Sequence, residues 1–283
     1  MAREDVITLG DVARVARVVR WHALAGLLIG ALLAIAASFL VRPVFQAQTT
    51  VLPATAKDKG ALGDLPAQFS GLAALAGIDP GSSEEKTRSI ELLKSKSLVQ
   101  KFIETHRLMP VLFPEEWNAA RNAWRDEGDA PTLAEAIRKF QDDVRRVSQD
   151  RRTSVVTVTM EWFDPALAQR WANDFVRMAN EEIRSRAIRE AQATLSYLNE
   201  QIAKTSVVGV REALFRLVEA QLKTEALAKV RDDYAFQVVD PAFPPDEEDI
   251  VRPQRPLFAL LGGLLGAGLA GWMRHLRLRK PRS

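Results

Sequence analysis

Two apolar runs, one near each end of the chain, restrict what this sequence can fold into. Trp21–Val41 and Pro256–Met273 contain no Asp, Glu, Lys or Arg, and arginines bound each run on both sides. A bilayer core about 30 Å thick is crossed by roughly 20 apolar residues in a helix. A buried helix of a soluble protein usually keeps one polar face, and Leu257–Gly271 has none. We therefore predict two transmembrane helices.

The charges beside the two runs predict their orientation. The outer flanks carry four Lys or Arg at residues 1–20 and five at 274–283, nine in all, and the inner flanks carry five. The positive-inside rule then places both termini in the cytoplasm. Beside an apolar run, we interpret the basic tail as a topology signal rather than a nucleic-acid site. The inner flanks are Arg42, Lys57, Lys59, Arg252 and Arg255.

These runs divide the chain into five predicted parts. They are a cytoplasmic N-terminus (1–20), a first transmembrane helix (21–41), a periplasmic domain (42–255), a second transmembrane helix (256–273) and a cytoplasmic basic tail (274–283). Residues 1–20 form either an interfacial helix or simply the start of the first span. Ala34-Ile35-Ala36 resembles a signal-peptide cleavage site, but the first run is longer than the 7–15 residues typical of such signals.

Alternating residues predict two strands in the domain between the runs, Val44–Leu52 and Val155–Trp162. A third, short strand is predicted at Phe236–Val239. Because the first follows one membrane run and the third precedes the other, we expect all three in one small mixed sheet near the membrane. The domain contains no cysteine, so packing and oligomerisation must hold it together without disulfides.

Helical periodicity occupies much of the remainder. We predict helices at 84–107 and 132–144, the second opened by a Thr132–Glu135 capping box, and a loop at 54–82 with one short helix near Phe69–Leu75. Trp117 and Trp124 lie seven residues apart, which predicts one face of a short polar helix. This pair either packs that helix down, the interpretation we prefer, or stacks on a sugar.

The longest soluble element is predicted from Pro165 to Ile202, because Asp164-Pro165 provides a helix start and neither Pro nor Gly interrupts the run. A turn at Gly209 and a second helix from Val210 to about Val230 complete an extended helical hairpin. The long helix carries apolar residues at alternating spacings of three and four, which predicts a coiled-coil seam. The seam consists of Ile188, Ala191, Leu195, Leu198 and Ile202.

Small residues recur every four positions in both apolar runs, a pattern that lets membrane helices approach closely. Frequent glycine is also ordinary in membrane helices, but the overlapping stripes favour close packing. A proline-rich segment with Pro253 and Pro256 leads into the second run. The packing glycines are Gly26 and Gly30 in the first run and Gly262, Gly263, Gly266 and Gly271 in the second.

The sequence contains no pattern that predicts catalysis. It has three histidines and no cysteine, and no zinc-protease, nucleophile-elbow or P-loop motif occurs. Carboxylates along the helices alternate with Lys and Arg, which is typical of a solvated face. We therefore expect a non-enzyme with no catalytic residue, no cofactor and no metal site.

The order of these features resembles the Wzz-type polysaccharide chain-length determinants, also called polysaccharide co-polymerases. The matching stretches are Ile7–Val12 before the first run, Pro43–Ala47 after it, and Val239–Pro244 and Pro253–Pro256 before the second. The resemblance implies an α+β membrane protein, with a sheet near the membrane and a long helix extending into the periplasm. It also implies a non-catalytic homo-oligomer in the bacterial inner membrane.

The implied role is to set the length of a surface glycan such as O-antigen. The implied partners are further copies of the chain, a polysaccharide polymerase, a lipid-linked glycan and membrane lipid, and no nucleic acid. Two alternatives remain open. One is an export or tyrosine-kinase adaptor subunit for capsule or exopolysaccharide, and the other, less favoured, is a periplasmic sensor.

Overall fold

The structure is a computed structural model that describes residues 9–54, 82–246 and 248–279. It forms two compact units. The first, here the terminal unit, takes in the two ends of the chain, up to Phe45 and beyond Asp246. The second, here the central unit, comprises Gln46–Asp246. The predicted short helix at Phe69–Leu75 lies outside the described residues.

The terminal unit is built on two long helices that pack along each other, α1 (Leu9–Ser38) and α8 (Arg255–Arg279). They coincide with the two predicted membrane runs, although α1 begins earlier and ends three residues short of Val41. A short strand, β7 (Ile250–Arg252), pairs antiparallel with Val44 and Phe45 at the start of strand β1 (Val44–Pro53). The sequence had predicted an extended linker, without this strand, at that place.

Among the helices that the structure describes, none combines the length and the apolar character needed to cross a membrane. The two membrane spans stay predictions, as do the five domain boundaries.

The central unit contains a small sheet. Its strands are β1 (Val44–Pro53), β4 (Arg145–Gln149), β5 (Val156–Trp162) and β6 (Phe236–Asp240), in the spatial order β4-β5-β1-β6. The three predicted strands lie in one sheet, as expected. Every strand pair whose register is described is antiparallel. The predicted mixed sheet would need a parallel pair, and none is present among them.

Helices of the central unit cover this sheet. The predicted helix at 84–107 is two helices, α2 (Ser82–Lys94) and α3 (Lys96–Thr105), because Ser95 is extended and its hydroxyl accepts the Leu98 amide as a new N-cap. A four-residue helix, α4 (Met109–Leu112), follows. The Thr132–Glu135 capping box is confirmed at the start of α5 (Leu133–Lys139), and a π-helical turn, Phe140–Val144, completes the predicted segment.

The two tryptophans do not lie on a helix. Trp117–Asn118 (β2) and Ala123–Trp124 (β3) pair as a two-stranded hairpin. The prediction of a helix is wrong because a spacing of seven also fits two residues facing each other across a hairpin. The indole rings pack edge to face with centroids 5.0 Å apart, which agrees with the preferred packing role.

The helical hairpin is confirmed as α6 (Pro165–Lys204) and α7 (Val208–Val230). Asp164 caps α6 by accepting the amides of Ala166 and Leu167. The turn, however, is Thr205–Val207, and Gly209 lies inside α7. A Cβ at Gly209 would meet no atom within 4 Å, so this glycine is required neither for a turn nor for close packing.

The core of the central unit is an aromatic cluster between α3, α5, α6 and the sheet. The Phe102 ring lies 5.2 Å from Phe175 and 5.5 Å from Phe140, and Trp171 packs 5.1 Å from Trp162. Phe102, Phe140 and Phe175 are fully buried. The first part of α6 therefore lies at the centre of the core, and the rest of the helix extends beyond it.

Candidate functional site

The candidate functional surfaces are contacts: the crossing of α1 with α8, the two faces of the hairpin, and the polar clefts at its base. Among the described residues, no group of three or more His, Asp or Glu side chains could hold a metal ion.

Four of the predicted glycines bring α1 and α8 into backbone contact. A Cβ on Gly26 would overlap the carbonyl oxygen of Gly266, and a Cβ on Gly30 would overlap that of Gly262. The reverse additions, on Gly262 and Gly266, would overlap Ala34 and the Gly26 carbonyl oxygen. No larger residue fits at these positions without separating the helices, which is how small residues at a spacing of four act.

The other glycines of α8 have different surroundings. Gly263 is buried, but its added Cβ would make only ordinary contact, 3.4 Å from the Leu27 side chain. Gly268 faces open space. Gly271 lies in α8, and its surroundings are outside the description. The two overlapping stripes predicted from sequence therefore differ, since Gly262 and Gly266 form the tight crossing and Gly263 lies beside it.

A groove of about 590 Å³ runs beside this crossing. Its walls are apolar side chains and glycine backbone, among them Ile29, Leu33, Leu265, Leu269 and Met273. Leucines elsewhere on both helices are exposed. The pair thus presents an apolar exterior around a glycine-lined contact.

The predicted prolines lie where α8 begins. Pro253 directly follows β7, and Pro256 is in the first turn of α8. Backbone N–H groups in the first turn have no partner within the helix, so the N–H that proline lacks costs no hydrogen bond there.

The predicted seam of the long helix faces α7. Ala191 and Leu198 are buried, and Ile188, Leu195 and Ile202 are half-buried. Polar contacts flank it: Gln192 donates to Glu225 at 2.8 Å, and Arg184 pairs with Asp232 at 3.0 Å. Hydrogen bonds from Lys229 and from Gln192 hold the pKa of Glu225 below its ordinary value.

The outer surface of the hairpin carries a second apolar stripe. Val208, Phe215 and Leu222 lie seven residues apart along α7, and each is more than half exposed. Tyr197 on α6 is exposed as well. Seven residues make nearly two turns, so the three side chains form one line along the helix.

Two polar clefts lie at the base of the hairpin. One, of about 150 Å³, is lined by Arg88, Ser89, Arg186, Glu190 and Tyr234 together with apolar residues. The other, of about 790 Å³, is lined by groups that include Lys86, Thr153, Ser154, Asp232 and Gln237.

Arg145 shows how charges are accommodated near the core. Its guanidinium donates to the Leu93 and Lys94 carbonyl oxygens at the end of α2 and lies 5.7 Å from the Phe175 ring. Burial lowers the Arg145 pKa to about 10, so this side chain stays charged at neutral pH. Its contacts cap a helix end, which is a structural role.

Sequence analysis missed two residues that the structure makes conspicuous, Asn173 and Asn180. Both bind backbone groups of the segment around β6, and Asn180 is buried. The signal was present in the sequence, since both amides fall among the apolar residues of the core-facing part of α6.

Comparison with known proteins places these features in context. Residues 5–106, which reach from the start of the chain through α3, match the family model of the chain length determinant protein, Wzz. The resemblance to the Wzz family is confirmed. Among solved structures, one titled "full-length bacterial polysaccharide co-polymerase" is 13% identical and covers 97% of this chain and 100% of its own, with a TM-score of 0.37. No curated protein matches the chain.

Proposed function

We propose that this chain regulates the length of a surface polysaccharide, such as O-antigen, as a non-catalytic co-polymerase in the bacterial inner membrane. The observation that carries the proposal is the match of residues 5–106 to the Wzz chain length determinant model. The polymerase forms the glycosidic bonds, and this chain, as a homo-oligomer, determines when elongation ends.

The arrangement of the chain supports the membrane part of the proposal. Trp21–Val41 and Pro256–Met273 carry no charged residue. α1 contains all but the last three residues of the first run, and α8 contains the whole second run. The glycine crossing and the exposed leucines of these helices suit a hydrocarbon surrounding. With both termini cytoplasmic, the central unit is periplasmic and lies on the side where a lipid-linked glycan would be extended.

The hairpin supports the assembly part. A long helix pair with an exposed line at Val208, Phe215 and Leu222 offers an apolar surface to a further copy.

Gel electrophoresis of surface polysaccharide tests the proposal. We expect wild-type cells to show a cluster of bands around a preferred length, cells without the gene to lose that cluster, and a plasmid copy to restore it. Unchanged banding without the gene would contradict the proposal. Loss of total surface polymer with the length of the remainder unchanged would instead favour an export or kinase-adaptor subunit.

Reporter fusions test the topology. A periplasm-active reporter placed after Leu52, Asp150 or Asp240 is expected to be active, and one after Arg279 inactive. The reason is the excess of Lys and Arg on the outer flanks. An active reporter at Arg279 would contradict the proposed orientation.

A further inference from the structure

The Asn180 side chain binds Phe236, the first residue of β6, through both the N–H and the C=O of that residue. Its side-chain oxygen accepts the amides of Ala235 at 2.9 Å and Phe236 at 2.7 Å, and its side-chain nitrogen donates to the Phe236 carbonyl oxygen at 2.9 Å. Asn180 is 4% exposed and Phe236 is fully buried. Because two backbone donors face the oxygen and one acceptor faces the nitrogen, only one orientation of the amide satisfies all three contacts.

Asn173, two turns earlier on α6, repeats this geometry. Its oxygen accepts the Ala242 amide at 2.9 Å, and its nitrogen donates to the Ala242 carbonyl oxygen at 3.0 Å. The same oxygen accepts the hydroxyl of Thr49 on β1 at 2.9 Å. The Ala242 carbonyl oxygen also accepts from Gln169 at 3.2 Å.

The place of these contacts explains their use. β6 ends the strand order, so among the described strands only β1 pairs with it. A buried strand edge must satisfy its N–H and C=O groups in another way. A primary amide offers a donor and an acceptor side by side, as an adjacent strand does. Asn180 therefore substitutes for a strand at Phe236, and Asn173 does so at Ala242, just beyond the end of β6.

We propose that Asn173 and Asn180 form a two-point backbone clamp that fixes the register of Ala235–Ala242 on the long helix and couples the hairpin to the segment leading into the second apolar run. The paired amides, rather than apolar packing alone, carry this coupling. The asparagines are positioning residues: they act through the backbone that they hold. The effect on glycan length rests on the proposed function, but the clamp itself does not.

Asparagine-to-aspartate variants test the clamp with almost no change in shape. Asn180→Asp and Asn173→Asp keep the acceptor but lose the donor, and an ionised carboxylate then faces a carbonyl oxygen. The matched control is Asn199→Asp, at an exposed position of the same helix, which adds the same charge. Hydrogen exchange is measured by mass spectrometry on the purified full-length chain.

We expect the protection factors of residues 235–242 to fall at least tenfold at neutral pH in both clamp variants, with those of β5 nearly unchanged. Burial and the facing carbonyl oxygen disfavour the ionised form of the introduced aspartate, against the favourable amide hydrogen bonds, and its acid form regains a donor. Protection should therefore recover toward the wild-type value as the pH is lowered. Asn199→Asp should show neither effect. If Asn180→Asp does not accumulate, the half-buried Asn173→Asp carries the same test.

Unchanged protection at residues 235–242 in the clamp variants would overturn the clamp. So would an equal loss over β5 without recovery in acid, because that result would mean general destabilisation. In cells, the clamp variants are expected to shift the band cluster at normal protein level, and the control is not. If residues 235–242 lose protection but the banding is unchanged, the clamp stands and only its expected effect on glycan length is overturned. Unchanged banding on deletion of the gene would overturn the proposed function and leave the exchange result standing.

Discussion

The two parts of the long helix α6 are stabilised in different ways. From Pro165 to Asn180 one face is continuously buried, whereas from Glu181 to Lys204 only Ala191 and Leu198 are buried. The buried residues of the first part are Ala168, Trp171, Ala172, Phe175, Val176, Ala179 and Asn180.

The partners of each part explain this difference. The first part packs against the aromatic cluster around Phe102 and Phe140 and against the sheet, so it lies in the core of the central unit. The second part packs mainly against α7. Only near its start does it also contact α2 and α3, where Lys101 bonds Glu182 and Ile183 packs against the core. A helix pair with half of its apolar residues exposed gains little from burial. The contrast indicates that the core part of the central unit, here the base, which includes Pro165–Asn180, folds through its own buried contacts. The outer hairpin, Glu181–Val230, needs further contacts to be well ordered.

The largest expected effect comes from the core part of α6. Phe175→Ala should lower the free energy of unfolding by about 3–5 kcal/mol, because it removes a fully buried ring between Phe102 and Phe140. Urea unfolding measures this loss. The matched control is Leu217→Ala on α7, half exposed and outside the line of Val208, Phe215 and Leu222, with an expected change within about 0.5 kcal/mol. Equal losses for both variants would remove the distinction between base and hairpin.

The second prediction concerns the seam. Changing Leu195 and Leu198 to Glu places charges against α7, at a cost of at least about 2 kcal/mol to the hairpin. We expect the hairpin to unfold locally or the oligomer to dissociate, while the base keeps its aromatic core. Cross-linking in membranes measures the assembly. A double variant with wild-type cross-linked size and wild-type glycan banding would show that the seam has no structural role.

The third prediction extends the comparison to the glycine crossing, where backbone contact replaces side-chain packing. Leu at both Gly262 and Gly266 cannot be accommodated against Gly26 and Gly30, so α1 and α8 must separate. We expect normal protein level and orientation, with a shifted or lost preferred glycan length. Banding and an immunoblot measure these two outcomes.

Gly268→Leu is the matched control for the crossing, because a Cβ there meets no atom within 4 Å. It should behave as wild type. Unchanged banding with Leu at both Gly262 and Gly266 would mean that these glycines serve only insertion or backbone flexibility.

The smallest expected effect is electrostatic, at the boundary between the two parts of α6. Lys101 donates to Glu182 at 2.7 Å, and this hydrogen bond, with a weaker contribution from Arg186, lowers the pKa of Glu182 below its ordinary value of 4.5. Because the folded pKa is depressed, the stabilisation is complete above pH 4.5 and is lost as the pH falls through the lower folded value.

Glu182→Gln should therefore cost about 0.2–1 kcal/mol at neutral pH, as for other solvent-accessible ion pairs. The difference from wild type should shrink below pH 4.5. Urea unfolding at several pH values measures it. A difference that persists unchanged in acid would assign the effect to packing rather than to charge.

Local signals in the sequence predicted much of the fold. Alternation predicted β1 and β5, β6 was predicted as a short strand, and Asp164-Pro165 predicted the start of α6. Short or irregular elements escaped. β4 lacks a clear alternation of apolar residues, although it pairs with the neighbouring β5, and β7 owes its pairing to Val44 and Phe45, far away in the sequence. The break at Ser95 depends on the Ser95 hydroxyl acting as the N-cap of a new helix.

The candidate site was predicted less completely. Spacing identified the glycine stripes, but only the facing helix distinguishes Gly266, at the crossing, from Gly268, in open space. Asn173 and Asn180 were missed because their roles depend on a strand more than fifty residues away along the chain.

Amide hydrogen exchange along α6 tests the contrast between base and hairpin most directly. For the purified full-length chain held as a monomer in detergent, we predict slow exchange at Ala168–Asn180, close to the rate of global unfolding, and much faster exchange at 191–204, where local opening suffices. The change should fall near Asn180, where the core contacts end. Uniform slow exchange over the whole helix would contradict the account, because it would show that the hairpin needs no contacts beyond its own two helices.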